Sequence, residues 1–390
     1  MFDVGDVGVR VRMLRTAAGM TQTDLSRLTC IDQTVISQIE KGKVSADGDR
    51  VQDLARALKC TVSFLKVPAD VAPAGRPWLR AYADAPKKHL DQVLANCDLA
   101  ADVISRLSLP RLPDAIPPFT EDLEDESAIE QFALEVRAAA DIDDDAVVGN
   151  VIRAAERLGC TVLPMEGELG RHLGLSLFSD LHPTLCVSRP CDDVPGDRQR
   201  FTVAHELGHL GLHRGNHAPS DPHEAKRMEL QAHRFAGAFL IPGDALREEV
   251  SSTGDRVTLR ALTDIKSRWG IAIKALVVRC RQLDLVSDDH ARSLYKQISS
   301  RGWNKGEPVH VGHERALWLG KAIDHAGRGS HDPVGVAAER AGIDRSILMR
   351  WTDWTPASQG EVVDLPVRDR PAVDHEPDRQ AQIVAFGLQD

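Results

Sequence analysis

Residues 201–213 read FTVAHELGHLGLH, and with no proline to break it this run is constrained to be a helix. Residues four apart share a helix face. His205 and His209 therefore aim two imidazoles at one point, and Glu206, one position on, can reach a water held there. Phe201, Ala204, Leu207, Leu210 and Leu212 supply the apolar surface that seats the helix against a core. Neutral imidazole nitrogens suit Zn2+, which lowers the pKa of a bound water to about 7, and Glu206 can take that water's proton during attack on a carbonyl. A catalytic zinc takes three protein ligands. Position 215, where HExxHxxGxxH enzymes carry a third histidine, is Gly215, which excludes that class. The candidate third ligand is Glu229, twenty residues beyond His209 in AKRMELQAHRFAGAFLIP, on a helix that would return antiparallel to the first.

The 390 residues are too many for one ordinary domain. Residues 1–66 read as four or five short helices: Val7, Val11 and Leu14 begin an apolar stripe, Leu25, Leu28, Val35, Ile36 and Ile39 continue it, and Val51, Leu54, Ala55 and Leu58 complete a small core. Prolines between Pro68 and Pro86 mark a linker, a helix-forming run covers residues 90–107, and LPRLPDAIPP marks a second boundary. Helical spacing resumes at Ile129, Phe132, Ala133, Val136 and Ala140 and again from about Ala146 to Leu158. TVLPM, LGLSLFS and PTLCVSR then alternate as strands of a small sheet. Beyond Ile241-Pro242 the pattern is helical to about Ser299, and the last 35 residues, rich in Pro, Asp and Arg, define no element.

The formal charge of −10 is uneven, since residues 1–68 carry ten Lys/Arg against eight Asp/Glu. The acidity concentrates between Glu121 and Asp145, which reads as a solvated helix face and its flanks. No uncharged apolar stretch approaches the ~20 residues of a membrane span, which rules out an integral membrane protein. The start, MFDVGDVGVRVRML, lacks the basic-then-apolar order of a secretory signal, so a cytoplasmic protein is expected. Seven cysteines, odd in number and without a CxxC pair, argue against a disulfide framework, a zinc ribbon or an iron–sulfur cluster and read as reduced thiols.

RFTVAHELGHLGLH followed by ELQAHRFAGAFLIP resembles the ImmA/IrrE metallopeptidase family over roughly residues 119–300. The resemblance implies that His205, His209 and Glu229 hold zinc, that Glu206 is the general base, and that the fold is thermolysin-like, with an active-site helix beside a sheet whose edge strand pairs with an extended substrate. PTLCVSR, just before the helix, is the edge-strand candidate. His233 stands where the family often has Asn or Asp, on the face of Glu229, and either supports a ligand from behind or replaces one. His213 continues the His205/His209 face and reads as a supporting or capping residue. His217 and His223 sit in GNHAPSDPH, read as a loop, where they are solvated or stabilise an oxyanion.

Residues 7–66 resemble the phage-repressor-like XRE helix-turn-helix family over their whole length, with a helix from Thr21 to Leu28, a turn at Thr29-Cys30-Ile31 and a recognition helix from Asp32 to Glu40. Asp32 can cap the recognition helix while Val35, Ile36 and Ile39 pack inward. Gln33, Thr34 and Gln38 are left facing outward, Gln33 suited to adenine in the major groove and Gln22 to a phosphate or to bracing Gln33's contact. Arg10, Lys41 and Lys43 are candidate phosphate contacts. Specific recognition calls for a dimer, since one helix reads only a few base pairs. A second helix–glycine–helix stretch, VGVAAERAGIDRSILMRWTDW, reads better as an αα-hairpin, because Ile347, Leu348 and Trp351 look like packing. RSLYKQISSRGWNKGEP resembles the segment that follows the peptidase domain in fused regulators.

The expected fold is α+β and mostly α. Residues 1–68 form a helix-turn-helix domain, 69–118 a helical linker, 119–300 a gluzincin-type metallopeptidase domain with a small sheet, and 301–390 a helical C-terminal region with room for a disordered tail. The expected function is a cytoplasmic regulator that binds a double-stranded DNA operator as a homodimer, uses Zn2+ to cleave a repressor protein, and does not engage a membrane. The alternative is a non-proteolytic transcription factor or antitoxin-like regulator whose zinc domain is a sensor or dimerisation unit.

Overall fold

The N-terminal helices are α1 (Val4–Ala17), α2 (Gln22–Thr29), α3 (Gln33–Glu40), α4 (Gly48–Ala57) and α5 (Val62–Lys66). Thr21 and Asp24 form a reciprocal capping box that starts α2. Cys30, in the left-handed region, turns the chain, and Asp32 caps α3 through the Thr34 N–H. Val11, Leu14, Leu25, Ile36, Ile39, Val51, Leu54 and Leu58 are buried together, as their spacing predicts. Leu28 is the exception: it is 42% exposed, on the outer side of α2.

The computed structural model describes residues 4–67, 85–165, 169, 172–178, 183–191, 193–214, 219 and 221–355. Most of the proline-rich linker, Gly215, His217 and the last 35 residues lie outside the described residues. After the linker, α6 (Lys87–Leu107) lies along α1. Asp102 of α6 accepts hydrogen bonds from both terminal nitrogens of Arg10, at 3.0 and 3.1 Å, and from Arg106. Arg10 is fully buried, with its guanidinium 4.6 Å from the centre of the Phe64 ring. It is therefore turned inward and does not face a phosphate, contrary to the sequence reading. A partner 92 residues away overrides a surface assignment drawn from local spacing.

The chain continues through α7 (Glu126–Ala139), α8 (Val151–Arg157), β1 (Thr161–Pro164), β2 (Gly174–Leu177), β3 (Thr184–Val187), α9 (Gly196–Leu212) and α10 (Pro222–Leu240). The three strands fall in TVLPM, LGLSLFS and PTLCVSR, and their order is β1-β3-β2, with β1 parallel and β2 antiparallel to β3. PTLCVSR is thus the central strand, which corrects its assignment as the edge. Every residue of β3 is buried, as a strand covered on both faces requires. The edge beside the metal-motif helix is β2.

The two faces of the sheet belong to different cores. Val162, Leu185 and Val187 pack with α8, α9 and the helices behind them. Leu163, Leu175, Leu177 and Cys186 pack with α6 and the N-terminal helices. The period-two alternation of strand side chains sends successive residues to opposite cores, so the sheet is a wall shared by the N-terminal helical head and the metal-motif domain.

Four more helices, α11 (Gly243–Ser252), α12 (Leu259–Trp269), α13 (Ile273–Gln282) and α14 (Asp288–Ser300), complete the second core. The chain then returns as α15 (Trp318–Ala326), α16 (Pro333–Ala341) and α17 (Arg345–Thr352) onto the first. Ile347, Leu348 and Trp351 are buried, so this helix pair is a packed hairpin, and the Trp351 indole donates to Asn96 of α6 at 3.0 Å. The acidic stretch is only partly solvated: Glu130 binds Arg279 at 2.5 and 2.6 Å and also pairs with Arg234. No helix among the described residues is long and apolar enough to cross a membrane.

Burial by itself would raise the Asp102 carboxyl, but the hydrogen bonds and charges of Arg10 and Arg106 outweigh it and hold it below the ordinary carboxylate value. Such a group contributes stability above the unfolded-state pKa of about 3.9 and loses it as pH falls through the lower folded value. Asp102→Ala leaves Arg10 buried without its carboxylate and is expected to cost about 3 kcal/mol at neutral pH, measured by denaturant unfolding. The difference from wild type should shrink as the pH is lowered below about 4.

Candidate metal centre and DNA-binding head

Helices α9 and α10 pack against each other and almost touch. A methyl group at Gly208 would lie 3.2 Å from the Ala232 Cα and 2.9 Å from the Phe235 ring, so the crossing needs glycine there. At that separation Glu229 of α10 reaches the histidine face of α9. The Nε2 atoms of His205 and His209 are 3.1 Å apart, and the Glu229 carboxylate oxygens lie 3.3 Å from the first and 3.5 Å from the second. These three residues form the one group among the described residues whose ligand atoms could hold a metal. Tetrahedral zinc with bonds of about 2.05 Å sets its ligand atoms roughly 3.3 Å apart, so the donor set fits in both chemistry and spacing.

Electrostatics around the group are those of buried partners. Burial alone would depress His205, but the hydrogen bond to Glu229 and the charges of Glu206 and Glu229 outweigh it and raise it. Burial alone would raise Glu229, but the hydrogen bonds from His205 and His209 and their charges carry it well below the usual carboxylate range. The ring nitrogen His205 Nδ1 is buried and has no hydrogen-bond partner.

His209 is held from behind. Its Nδ1 lies 3.1 Å from His213 Nδ1, His213 Nε2 lies 3.0 Å from the Gln231 side-chain oxygen, and the Gln231 amide donates to the Leu123 carbonyl at 3.0 Å. The last bond orients the Gln231 amide so that its oxygen accepts from His213 Nε2–H. His213 Nδ1 then accepts from His209 Nδ1–H, and the His209 Nε2 lone pair points to the metal position. Burial, followed by the charge of His209, pushes His213 down to about 3, which keeps this link neutral. His233 is pushed down to about 4 by burial and then by His205. Its ring lies 4.6 Å from that of His205 and 5.5 Å from that of Phe201, so it walls the site without joining the three converging ligand atoms. His223 is in the first turn of α10 and exposed, because Asp221 caps that helix and Pro222 starts it, so the loop ends earlier than its composition suggests.

Glu206 is buried, and the Ser176 hydroxyl donates to its carboxylate at 2.5 Å. Ser176 is on β2, and that strand approaches α9 only because residue 174 is glycine: a Cβ there would stand 2.5 Å from Thr202 Cγ2 and 3.2 Å from Glu206 Cγ. Sequence reasoning did not find Ser176, Gln231 or Gly174. Their one signal is placement on a strand or helix face next to the motif, and it cannot be read before the sheet order is known.

In the head, Arg15 and Glu40 form a largely buried ion pair. The Gln22 amide donates to Glu40 at 2.9 Å and its oxygen accepts from the Gln33 amide at 2.7 Å. Gln22 is therefore a brace, and it leaves Gln33 at the exposed start of α3 with a carbonyl oxygen and a second N–H, the pair that adenine requires. Thr34, Gln38, Lys41 and Lys43 are exposed on the same element or just after it.

Residues 155–281 match the family model described as the IrrE N-terminal-like domain, of the M78 peptidase family, and residues 11–65 match the one described as helix-turn-helix. No curated protein and no solved structure matches the chain. The protein joins an XRE-type helix-turn-helix domain to an IrrE-like, peptidase-type domain, the architecture of a regulator that carries a protease-like module.

Gly174→Ala tests how tightly β2 is seated. The added methyl forces strand and helix apart and is expected to destabilise the fold by ~1–3 kcal/mol, read by thermal or denaturant unfolding.

Proposed function

We propose that this protein is an operator-binding transcriptional regulator whose zinc-dependent endopeptidase domain cleaves a repressor protein and so relieves repression. The observation that carries the reading is the convergence of His205, His209 and Glu229, with ligand atoms all within 4.8 Å of one another, beside a buried Glu206 on the same helix. Those three side chains would hold Zn2+. Bound there, the ion supplies Lewis acidity, polarising a peptide carbonyl and making water acidic enough to lose a proton near neutral pH. Glu206 takes that proton and returns it to the leaving nitrogen, and Ser176 orients the carboxylate for both transfers. The relay through His213 and Gln231 keeps His209 in the tautomer that binds metal. A purely structural zinc site has no use for Glu206, which favours turnover over a metal-bearing sensor.

β2 has only β3 as a strand neighbour among the described residues, and it lies against α9. An extended peptide added to its outer edge would pass in front of Glu206, so the substrate is a protein segment that can be drawn out as a strand. The head would read an operator through Gln33, with Thr34 and Gln38 beside it and Lys41 and Lys43 on phosphates. Two copies would be needed for a two-fold site. The setting is the cytoplasm, where DNA and repressor meet.

The purified protein is expected to carry about one zinc per chain, and His209→Ala to lose most of it while remaining folded, as measured by metal analysis and circular dichroism. Glu206→Gln should keep its zinc and its operator affinity while cleavage of the cognate repressor falls at least ~100-fold. Equal repressor cleavage or equal reporter output from wild type and Glu206→Gln would overturn the peptidase reading. On DNA, Gln33→Ala should weaken operator binding by ~1–3 kcal/mol and leave non-specific binding unchanged. An equal loss on all sequences would instead move Gln33 to the phosphate backbone.

A further inference from the structure

Behind the sheet, on the side away from α9, a cavity of about 370 Å³ opens between α6, β1, β3 and α15. Its apolar lining includes Cys97, Ala101, Ile104, Leu163 and Trp318. Its polar lining includes Thr161 and Thr184, neighbours across the β1/β3 pairing and only 5% and 6% exposed. Among the described residues neither threonine hydroxyl makes a hydrogen bond, and neither is sealed from the hollow, so both have donors and acceptors left over in a nearly dry wall. Buried hydroxyls are ordinarily paired, and a pair left open toward a cavity calls for an occupant. Arg111, also in the lining, is exposed and makes no ion pair among the described residues. The carboxylates flanking it in sequence are already held, Asp102 by Arg10 and Arg106 and Asp114 by Arg214. The C-terminal end of α6 contributes about half a negative charge nearby, which offsets only part of the full positive charge of the guanidinium.

We infer that this cavity is a binding site for a small apolar monocarboxylate, whose carboxylate pairs with Arg111, whose body lies against Trp318, Ile104 and Leu163, and whose oxygens satisfy Thr161 and Thr184. An anion with an apolar body matches all three surfaces: the planar guanidinium fork suits a carboxylate, the hydroxyls can donate to oxygen, and the volume is that of a small-ligand pocket. The walls come from the helix that grips the DNA-binding head and from the sheet behind the metal centre, so the bound molecule touches elements of both. This site depends on neither zinc chemistry nor operator binding.

The test is isothermal titration of the full-length protein, without DNA, with hexanoate, phenylacetate and phenylpyruvate, each compared with its neutral amide. At least one acid should bind saturably, one per chain, and at least tenfold more tightly than its amide. Arg111→Gln, a change at an exposed residue, should erase that preference, and the isosteric Thr184→Val should weaken the acid several-fold. Ala101→Phe, which fills the hollow, should abolish binding, and circular dichroism would confirm that each variant folds. Absence of saturable binding by every acid would leave water as the occupant and overturn the inference. So would an amide binding as tightly as its acid, or an acid binding unchanged to Arg111→Gln.

Discussion

The close crossing of α9 and α10 is the constraint on which the candidate centre depends. Two ligands come from one helix, so their spacing is set by helix geometry alone, but the third comes from the other helix and is only as near as the backbones allow. Gly208 removes the one Cβ that would stand between them. α10 is in turn held by α7, through Phe132 on Phe235 and through Glu126 and Glu130 on Arg234. Glu130 also binds Arg279 of α13, so a carboxylate on α7 ties two further helices into the support of the metal-motif pair. Since packed interiors are close to incompressible, the donor spacing follows from this whole stack and not from the motif helix alone.

The sheet has the second organising role. Three short strands of four residues each would make a marginal element in isolation. Here they gain stability from burial on both faces, and because successive residues alternate between the cores, the head and the metal-motif domain share one wall. The head is fastened to that wall through α6, by the buried Arg10–Asp102 pair at one end and by packing of Cys97 against Cys186 of β3. The two thiols are 3.0 Å apart and buried, and the Cys97 thiol is pushed well up, first by its contact with Cys186 and then by burial. That environment keeps it protonated and consistent with a packing role.

Residues 301–317, which form no helix or strand, staple the second core from outside. The Glu314 carboxylate accepts from the backbone N–H groups of Val151 and Ile152 at the start of α8 and pairs with Arg200 of α9. Glu307 does the same at the start of α13 through Ile273, and it also binds Lys266, which pairs with Asp197 in the first turn of α9. Carboxylates at helix N-termini meet unsatisfied donors and the positive end of the dipole. Residues 301–317 therefore act on the start of the motif helix, through partners that lie far along the chain.

Much of the architecture was legible locally because the determinants are local. The capping box at Thr21, the cap at Asp32, the i,i+4 histidines and the alternation of the three strands all act within a few residues, so the helix-turn-helix head, the motif helix and the existence of the sheet follow from the sequence by itself. The placement of Glu229 was readable as far as a returning helix, but its distance from the histidines was not, since that depends on a crossing made possible by Gly208 and Ala232. The order of the strands, which moves the edge from PTLCVSR to LGLSLFS, was decided by which strand is covered on both sides. The inward turn of Arg10, the brace of Ser176 on Glu206 and the link from His209 through His213 to Gln231 likewise belong to the tertiary structure. Each joins residues on separate elements, and an element's own periodicity says which face a side chain is on but not what lies opposite.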